Sequence, residues 1–410
     1  MSRLSMGVSG MLTQLGLTQL EQLDNIVIDS RMVRPGKVFV AIRTGHNFIN
    51  DALERGADVV VSERSMPTKT IHVPDSIVWL GQAARLKRTL LSARVIGVTG
   101  SVGKTTLTQT LAQLFEKYGE THTTVGNQNN EIGAALTVLS AQSSSQFIIV
   151  EMGVAKPFDM DYLVDIVRPD ISVITRIGLT HLDLLESTLG IWHEKSKIIH
   201  DASSVCIAPK QNFMRSGTSG HINVWFDSEH VILDSGQRLS YLYGKVPDVA
   251  FGDLIAGIYG VFHLLDLPFP DVIPKLLLKQ RLSEHYMDKG ALWIDDTYNA
   301  SYLSYLRAIG MLSQHDGQRI LVLGEMGGLG YRSEAIHLSL RTYLERSRID
   351  HIIFYGPCTQ SLFWSYSGSA QWLNKVCDLV AALKRYDTQG HTVLVKGSRH
   401  LQLEDVFICG

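Results

Sequence analysis

Apolar positions along the chain fall into short unbroken runs, each closed by a glycine or a polar turn. The runs are "VIGVTG" at 95–100, "FIIVEMG" at 147–153, "ISVITRIG" at 171–178, "LWIDDTYNA" at 292–300, "RILVLGEMG" at 319–327, "HIIFYG" at 351–356 and "TVLVKGS" at 392–398. Runs of this length, bounded by turn residues, predict strands buried on both faces. Helical patterns such as "TTLTQTLAQLF" at 105–115 lie between them. Strand and helix in alternation predict a mainly parallel, doubly wound sheet whose ligands gather at the carboxyl ends of the strands. Ahead of these, "NIVIDSR", "PGKVFVAI" and "FINDALERGADVVVSE" make a smaller α/β unit between 25 and 63, and the basic stretch "RLKRTLLSAR" leads from it into "VIGVTG". The expected fold is α/β in three domains: a small N-terminal α/β domain over 1–92, a central doubly wound domain built on a phosphate-binding loop (P-loop) over 93–286, and a C-terminal Rossmann-like domain over 287–410.

Composition narrows the function. A chain of 410 residues exceeds the usual single domain. With 45% hydrophobic and 19% charged residues and a net charge of -2, it is neither a disordered chain nor a basic nucleic-acid binder. No run is long enough to span a bilayer, and the first thirty residues lack the apolar core of a signal peptide. Cys206, Cys358, Cys377 and Cys409 are far apart with no metal-type spacing, which fits reduced thiols. These features predict a soluble cytoplasmic protein; a monomer acting on small molecules is the expectation.

The candidate chemistry begins in "TGSVGKTT" at 99–106. Gly100 and Gly103 let backbone amides curl around an anion, the following helix turns its positive end the same way, Lys104 adds a point charge and Thr105 offers a hydroxyl to Mg²⁺. Val98 stands where the strict GxxxxGK[ST] spacing has its first glycine. Glu151, directly after a buried strand, predicts a carboxylate that meets a cation, the alternative being a capping or salt-bridged glutamate. Taken singly, His181 and Lys195 read as a structural histidine and a solvated lysine.

In chain order, "TGSVGKTT", "VGNQNNEIGAALTVL", "VEMG", "ITRIGLTHLD", "EKSKI", "IDDTYNAS", "LVLGEMGGLG" and "VLVKGS" resemble the motifs of the Mur ligase family. The "GNQNN" and "DDTYNA" runs are most similar to those of the members that add D-alanyl-D-alanine to UDP-N-acetylmuramoyl-tripeptide. "DSRMVRPGKVFVAI" and "GHNFINDALERGA" are similar to the domain that holds the UDP-sugar. The resemblance implies a ligase that uses ATP to turn a carboxylate into an acyl phosphate, which an amine then attacks. It implies that Gly100, Ser101, Gly103, Lys104, Thr105 and Thr106 cradle the nucleotide phosphates, with Arg281 in the hinge and Asp295, Asp296, Tyr298 and Asn299 facing the nucleotide. It further implies two Mg²⁺ sites, the first on Thr105 and Glu151 and the second on His181 and a carbamylated Lys195. Lys104, Lys195 and His181 would be the catalytic set. Ser30, Asn127, Asn129 and Asn130 would meet the nucleotide-sugar peptide, and Lys396, Gly397 and Ser398 the amino acid or dipeptide.

The chain also departs from the family pattern. "DVAFGDLIAGIYGVFHLL" lacks the His-Asn pair found near adenine; Ala155, Phe158 and Asp159 replace an asparagine and a Gly-Glu; Lys197 replaces a glutamate; Ser301 and Tyr302 replace Asn-Pro; and the loop before "GHNF" is short. Three readings stay open on the residues alone: the peptidoglycan-precursor ligase, a related ligase joining another carboxylate to another amine, and a nucleotide-binding subunit without catalysis. Joint retention of Lys104, Thr105, Glu151, His181 and Lys195 argues against the last.

Overall fold

The computed structural model describes residues 7–65, 69–199, 204–207, 221–226, 230–233, 235–240, 249–274 and 280–409. Three sheets follow one another along the chain. The first is parallel, in the order β1 (Ile26–Val27), β2 (Val38–Val40), β3 (Val59–Ser62), β4 (Thr70–His72). The second comprises β5 (Arg94–Thr99), β6 (Thr121–Thr123), β7 (Phe147–Glu151), β8 (Ile171–Ile174), β9 (Ser204–Ile207), β10 (His221–Phe226), β11 (His230–Leu233) and β12 (Arg238–Ser240), ordered 12-11-10-9-8-5-7-6. It is parallel from β6 to β10 and antiparallel over β10–β12.

The unbroken apolar runs are explained by burial on both faces of the second sheet. Val95, Ile148 and Val150 pack with Trp79, Ala134 and Leu163. Ile96, Val98, Ile149 and Val173 pack on the other side with Leu107, Leu111, Tyr259 and Phe262. Phe115 stacks between Phe147 and Phe262, at centroid separations of 4.6 and 5.2 Å; emptying such a site costs about 3–5 kcal/mol. The helix Ser76–Leu90 begins where Asp75 accepts the amides of Ile77 and Val78, and packs against the helices Glu131–Ser140 and Asp159–Val167. It thereby fastens the first unit to the second.

The third sheet comprises β13 (Ser283–Tyr286), β14 (Leu292–Asp296), β15 (Gln318–Gly324), β16 (His351–Tyr355), β17 (Ala370–Leu373) and β18 (His391–Lys396), ordered 13-14-18-15-16-17. Only β13 is antiparallel. Its pairing with β14, from Ser283 opposite Asp295 to Tyr286 opposite Leu292, corrects the expected division at 286/287, because 283–286 are hydrogen-bonded into the third sheet. The helix Tyr302–Leu312 covers one face through Tyr305 and Ile309, whereas Leu379 and Leu383 cover the other.

Cys206 is buried, Cys358 and Cys377 are exposed, and all three are free thiols; the side chain of Cys409 lies outside the described residues, as does the start of "DVAFGD". Among the described residues no helix is long and apolar enough to cross a membrane.

Candidate active site

The turn between β5 and the helix Lys104–Phe115 needs its glycines. Gly100 has φ 143°, and a Cβ there would strike the Thr175 hydroxyl. Gly103, at φ 91°, caps the helix with no side-chain acceptor and with open space where its Cβ would be. The first amides of the helix therefore keep their donors free for an anion. Those of Ser101 and Val102 do not: both donate to the carbonyl of Arg176, at 2.9 and 3.2 Å, and so tie the turn to the end of β8. Lys104 Nζ donates to Gly100 O at 3.0 Å. Burial pushes its ammonium below the usual lysine range, while Glu151 opposes that shift. Arg281 reaches in from the link before β13, donating from Nη2 to Thr105 Oγ1 at 2.9 Å and lying 3.9 Å from the Tyr298 ring centroid. Its neighbours Gln280 and Leu282 both hold left-handed φ, 59° and 57°.

Glu151 ends β7 at 2% exposure. Its Oε1 accepts Asn129 Nδ2 at 2.7 Å, and its Oε2 is buried with no hydrogen-bond partner. A buried, unpaired carboxylate oxygen is costly unless a cation completes it. Asn129, which also lines the cavity, orients the carboxylate through its hydrogen bond. His181 sits in the left-handed region at φ 54°, and burial together with Lys195 and Lys104 pushes its imidazole down to about 4, leaving it neutral. Lys195, 1% exposed, lies near Lys104 and Glu151; burial and then Lys104 hold its amine well below the ordinary range.

A cavity of about 480 Å³ joins Ser101, Gly103, Lys104, Thr105, Asn127, Asn129, Asn130, Glu151, His181, Arg281, Tyr298 and Asn299. Its walls come from the residues after β5, β6, β7 and β8, from those after β14, and from Arg43 of the first unit. Lys195 sits outside this lining, as do Gly100 and Thr106, whose carbonyl accepts Thr110 Oγ1 inside the helix. Ser30 is also absent from the wall: it is buried in the first unit, its hydroxyl on Asp51. Another hollow, near Arg88, Arg94 and Asp170, lies at the opposite, amino ends of the strands, away from these groups.

In the third sheet several expected ligand-facing groups are committed to the protein itself. Asp295 accepts the amide and hydroxyl of Thr297 at 3.0 and 2.6 Å. Lys396 Nζ donates to Asp296 Oδ2 at 2.6 Å and to Asn299 O at 3.0 Å, and is 2% exposed. Gly397 is packed against Leu401 and Leu403, and Ser398 Oγ accepts the amide of Gly327 at 2.7 Å. The turn Glu325–Gly330 reaches the second unit: Asp183 N donates to Gly328 O at 3.3 Å, and Cβ positions at Gly328 and Gly330 would lie 3.4 Å from His181 N and 3.2 Å from Asp183 Cα.

Sequence reasoning missed Arg43, Lys156, Asp159, Thr180, Ser301 and Ser304, which also line the cavity. Arg43 comes from the first unit and meets Glu131 at 3.5 Å; its place just ahead of "GHNF" was the available signal. Two departures noted in the sequence meet in space, since Lys197 lies 5.0 Å from the Phe158 ring centroid while bonding Glu194 and Asp161.

A glycine-turn cradle, a buried carboxylate and a neutral imidazole between two α/β units define an enzyme that handles a nucleotide triphosphate at a domain junction. The chain belongs to the Mur ligase family: the Mur ligase middle domain matches residues 98–225, and the Mur ligase, glutamate ligase domain, residues 280–399. The chain is 29% identical over 428 residues to the UDP-N-acetylmuramoyl-tripeptide--D-alanyl-D-alanine ligase of Synechocystis sp., covering 96% of this chain and 93% of that one. The Bacillus subtilis ligase of the same name is 28% identical, covering 95% and 93%. Among solved structures, MurF ligase from Thermotoga maritima in complex with ADP superposes with a TM-score of 0.79 at 26% identity, covering 94% of this chain and 97% of that chain.

Proposed function

We infer that the protein is an ATP-dependent ligase that joins D-alanyl-D-alanine to UDP-N-acetylmuramoyl-tripeptide, forming a carbon–nitrogen bond in peptidoglycan precursor synthesis. The near full-length likeness to ligases of that name supports the substrates. The observation that carries the chemistry is Glu151 Oε2, buried and unpartnered in a cavity that also holds Lys104, Thr105 and His181. In this reading the central unit binds ATP, the first unit the nucleotide-sugar, and the third the incoming dipeptide.

The residues fit a divalent cation. Among the described residues no three of His, Cys, Asp and Glu form a ready-made metal group, so Glu151 and His181 would hold ions jointly with Thr105 and the phosphate oxygens, an arrangement suited to Mg²⁺. Such an ion supplies charge neutralisation between phosphate and the substrate carboxylate. Lys104 and the free helix amides bind the phosphates and hold them in line. For Thr105 to face an ion, Arg281 must release its hydroxyl. Burial and the Lys104 charge favour the uncharged form of the Lys195 amine, the form that adds to CO₂ with loss of a proton to give a carbamate. The resulting anion would lie near the Lys104 cation, which opposes an ammonium there but favours a carboxylate.

The test is ADP release with Mg²⁺ when both substrates are present. Release that ignores the tripeptide nucleotide and the dipeptide would remove this reading. For Lys195, the Lys195→Ala variant is expected to lose turnover and regain part of it with added short carboxylic acids. Full activity without them would exclude the carbamate.

A further inference from the structure

Amide formation needs an uncharged amine, yet a dipeptide arrives at neutral pH largely as an ammonium. Some group near the third sheet must take that proton. At the carboxyl ends of β14, β15 and β18, most candidates are already engaged. Asp295 is bound by Thr297, and Asp296 and Lys396 hold each other. His337 is buried, its Nε2 accepting the amide of Met326 at 2.9 Å and its Nδ1 lying 2.7 Å from Ser333 O. His400 is different. Its Nε2 lies 3.1 Å from Glu325 Oε1, and the side chain is 54% exposed. Glu325, at 8% exposure, is itself fixed because Oε2 accepts the amide of Cys358 at 2.9 Å.

A carboxylate on Nε2 fixes that nitrogen as the donor and leaves Nδ1 as the acceptor. Nδ1 lies 3.4 Å from where a Cβ of Gly327 would be. The next residue, Gly328, accepts the amide of Asp183, a Cβ there would lie 3.4 Å from His181 N, and His181 lines the cavity with Lys104. The imidazole thus lies against Gly327 of the turn, and His181 of the reaction cavity against the next residue, Gly328. The other charged or titratable groups around it are Glu325 on β15, the Cys358 thiol, Asp183 across the junction, and Arg399, which is paired with Glu404 at 2.5 Å and donates to Gln280.

We propose that His400, held in one tautomer by Glu325, is the base that takes the proton from the incoming ammonium group. The proposal rests on the ligase reading above. One ammonium N–H proton passes to Nδ1, the freed lone pair forms the C–N bond to the acyl carbon as the carbonyl π electrons move onto oxygen, and a second N–H proton leaves the adduct with the departing phosphate. The C–O bond to phosphate then breaks, its electrons leaving with the phosphate. Positioned bases of this kind contribute about 100-fold or more.

The test compares two nucleophiles on full-length protein supplied with ATP, Mg²⁺ and UDP-N-acetylmuramoyl-tripeptide. Hydroxylamine is largely uncharged at neutral pH and captures the acyl phosphate as a hydroxamate without help from a base. D-alanyl-D-alanine needs one. In His400→Gln, the ratio of dipeptide product to hydroxamate is expected to fall about 100-fold at pH 7, through kcat rather than KM, and to recover as rising pH deprotonates the amine. A ratio within about threefold of the parent, or a loss that does not recover with pH, would overturn the role of His400. Hydroxamate formation also reports that the variant is folded. Parent protein that forms neither product would instead overturn the ligase reading.

Discussion

Replacing Asp296 with alanine isolates one buried charge. Lys396 Nζ sits at 2% side-chain exposure, 2.6 Å from Asp296 Oδ2, and Asp296 is 14% exposed. Removing one partner of such a pair costs about 3–5 kcal/mol. The partial exposure of Asp296 and the remaining bond to Asn299 O place the expected loss near the lower end, about 3 kcal/mol. Amides of β14 and β18, whose registers pair Asp296 with Lys396, should then exchange roughly 100-fold faster in the regime where exchange reports opening. The deficit depends on pH in a definite direction. Burial already holds the Lys396 ammonium below its ordinary range, and without Asp296 nothing of comparable strength opposes it. A cation whose folded pKa lies below its unfolded value loses stability as pH falls through that window, so the deficit should be larger at pH 6 than at pH 9.5. Adding Lys396→Met removes the stranded charge and should bring protection back to within about 1 kcal/mol of the parent. Equal losses in the single and double variants, or a loss below about 1 kcal/mol in the single one, would refute the view that this pair is a closed internal bond.

Glu151→Gln keeps a hydrogen-bonding partner for Asn129 but removes the charge behind the unpaired Oε2. Half-maximal activation should need at least about tenfold more Mg²⁺, measured by metal titration of ADP release; an unchanged titration would count against Glu151 as a cation ligand. In metal-free protein, the His181 ring stays neutral down to about 4 when folded but takes a proton below 6.5 when unfolded. Stability should therefore decline as pH falls from 6.5 toward 4, by up to about 3 kcal/mol. Urea unfolding in EDTA at pH 7.5 and pH 5 should show a smaller difference in His181→Asn, and an identical difference would sink the assignment.

Much of the fold was legible because a strand covered on both faces must be apolar at consecutive positions, as in "VIGVTG" and "RILVLG". β13 was not, since "SEHY" is a polar edge strand that the sheet recruits through its backbone. Lys104, Thr105 and Glu151 were legible because each stands at the carboxyl end of a central strand or just beyond the turn after it, whereas His181, which singly reads as a structural histidine, joined them only through the family resemblance. The fates of Asp296 and Lys396 were hidden for the opposite reason: they are 100 residues apart and meet only through the register of β14 on β18. Asn129 illustrates the same limit, since a residue beside a site and a residue supporting it carry the same signal in one dimension. Phe158 and Lys197 looked like separate lapses from the family pattern, whereas contact between them makes each a context for the other.

The link at Gln280 and Leu282 behaves like a wound spring. Each residue pays on the order of 1 kcal/mol to keep its left-handed twist, and the link is held by the bonds of Gln280 to Tyr298 and Arg399 and of Arg281 to Thr105. Any rotation that lets both residues unwind releases that cost. A rotation that clears the threonine hydroxyl would therefore relieve backbone twist while breaking the contacts that Gln280 and Arg281 make with Tyr298, Arg399 and Thr105.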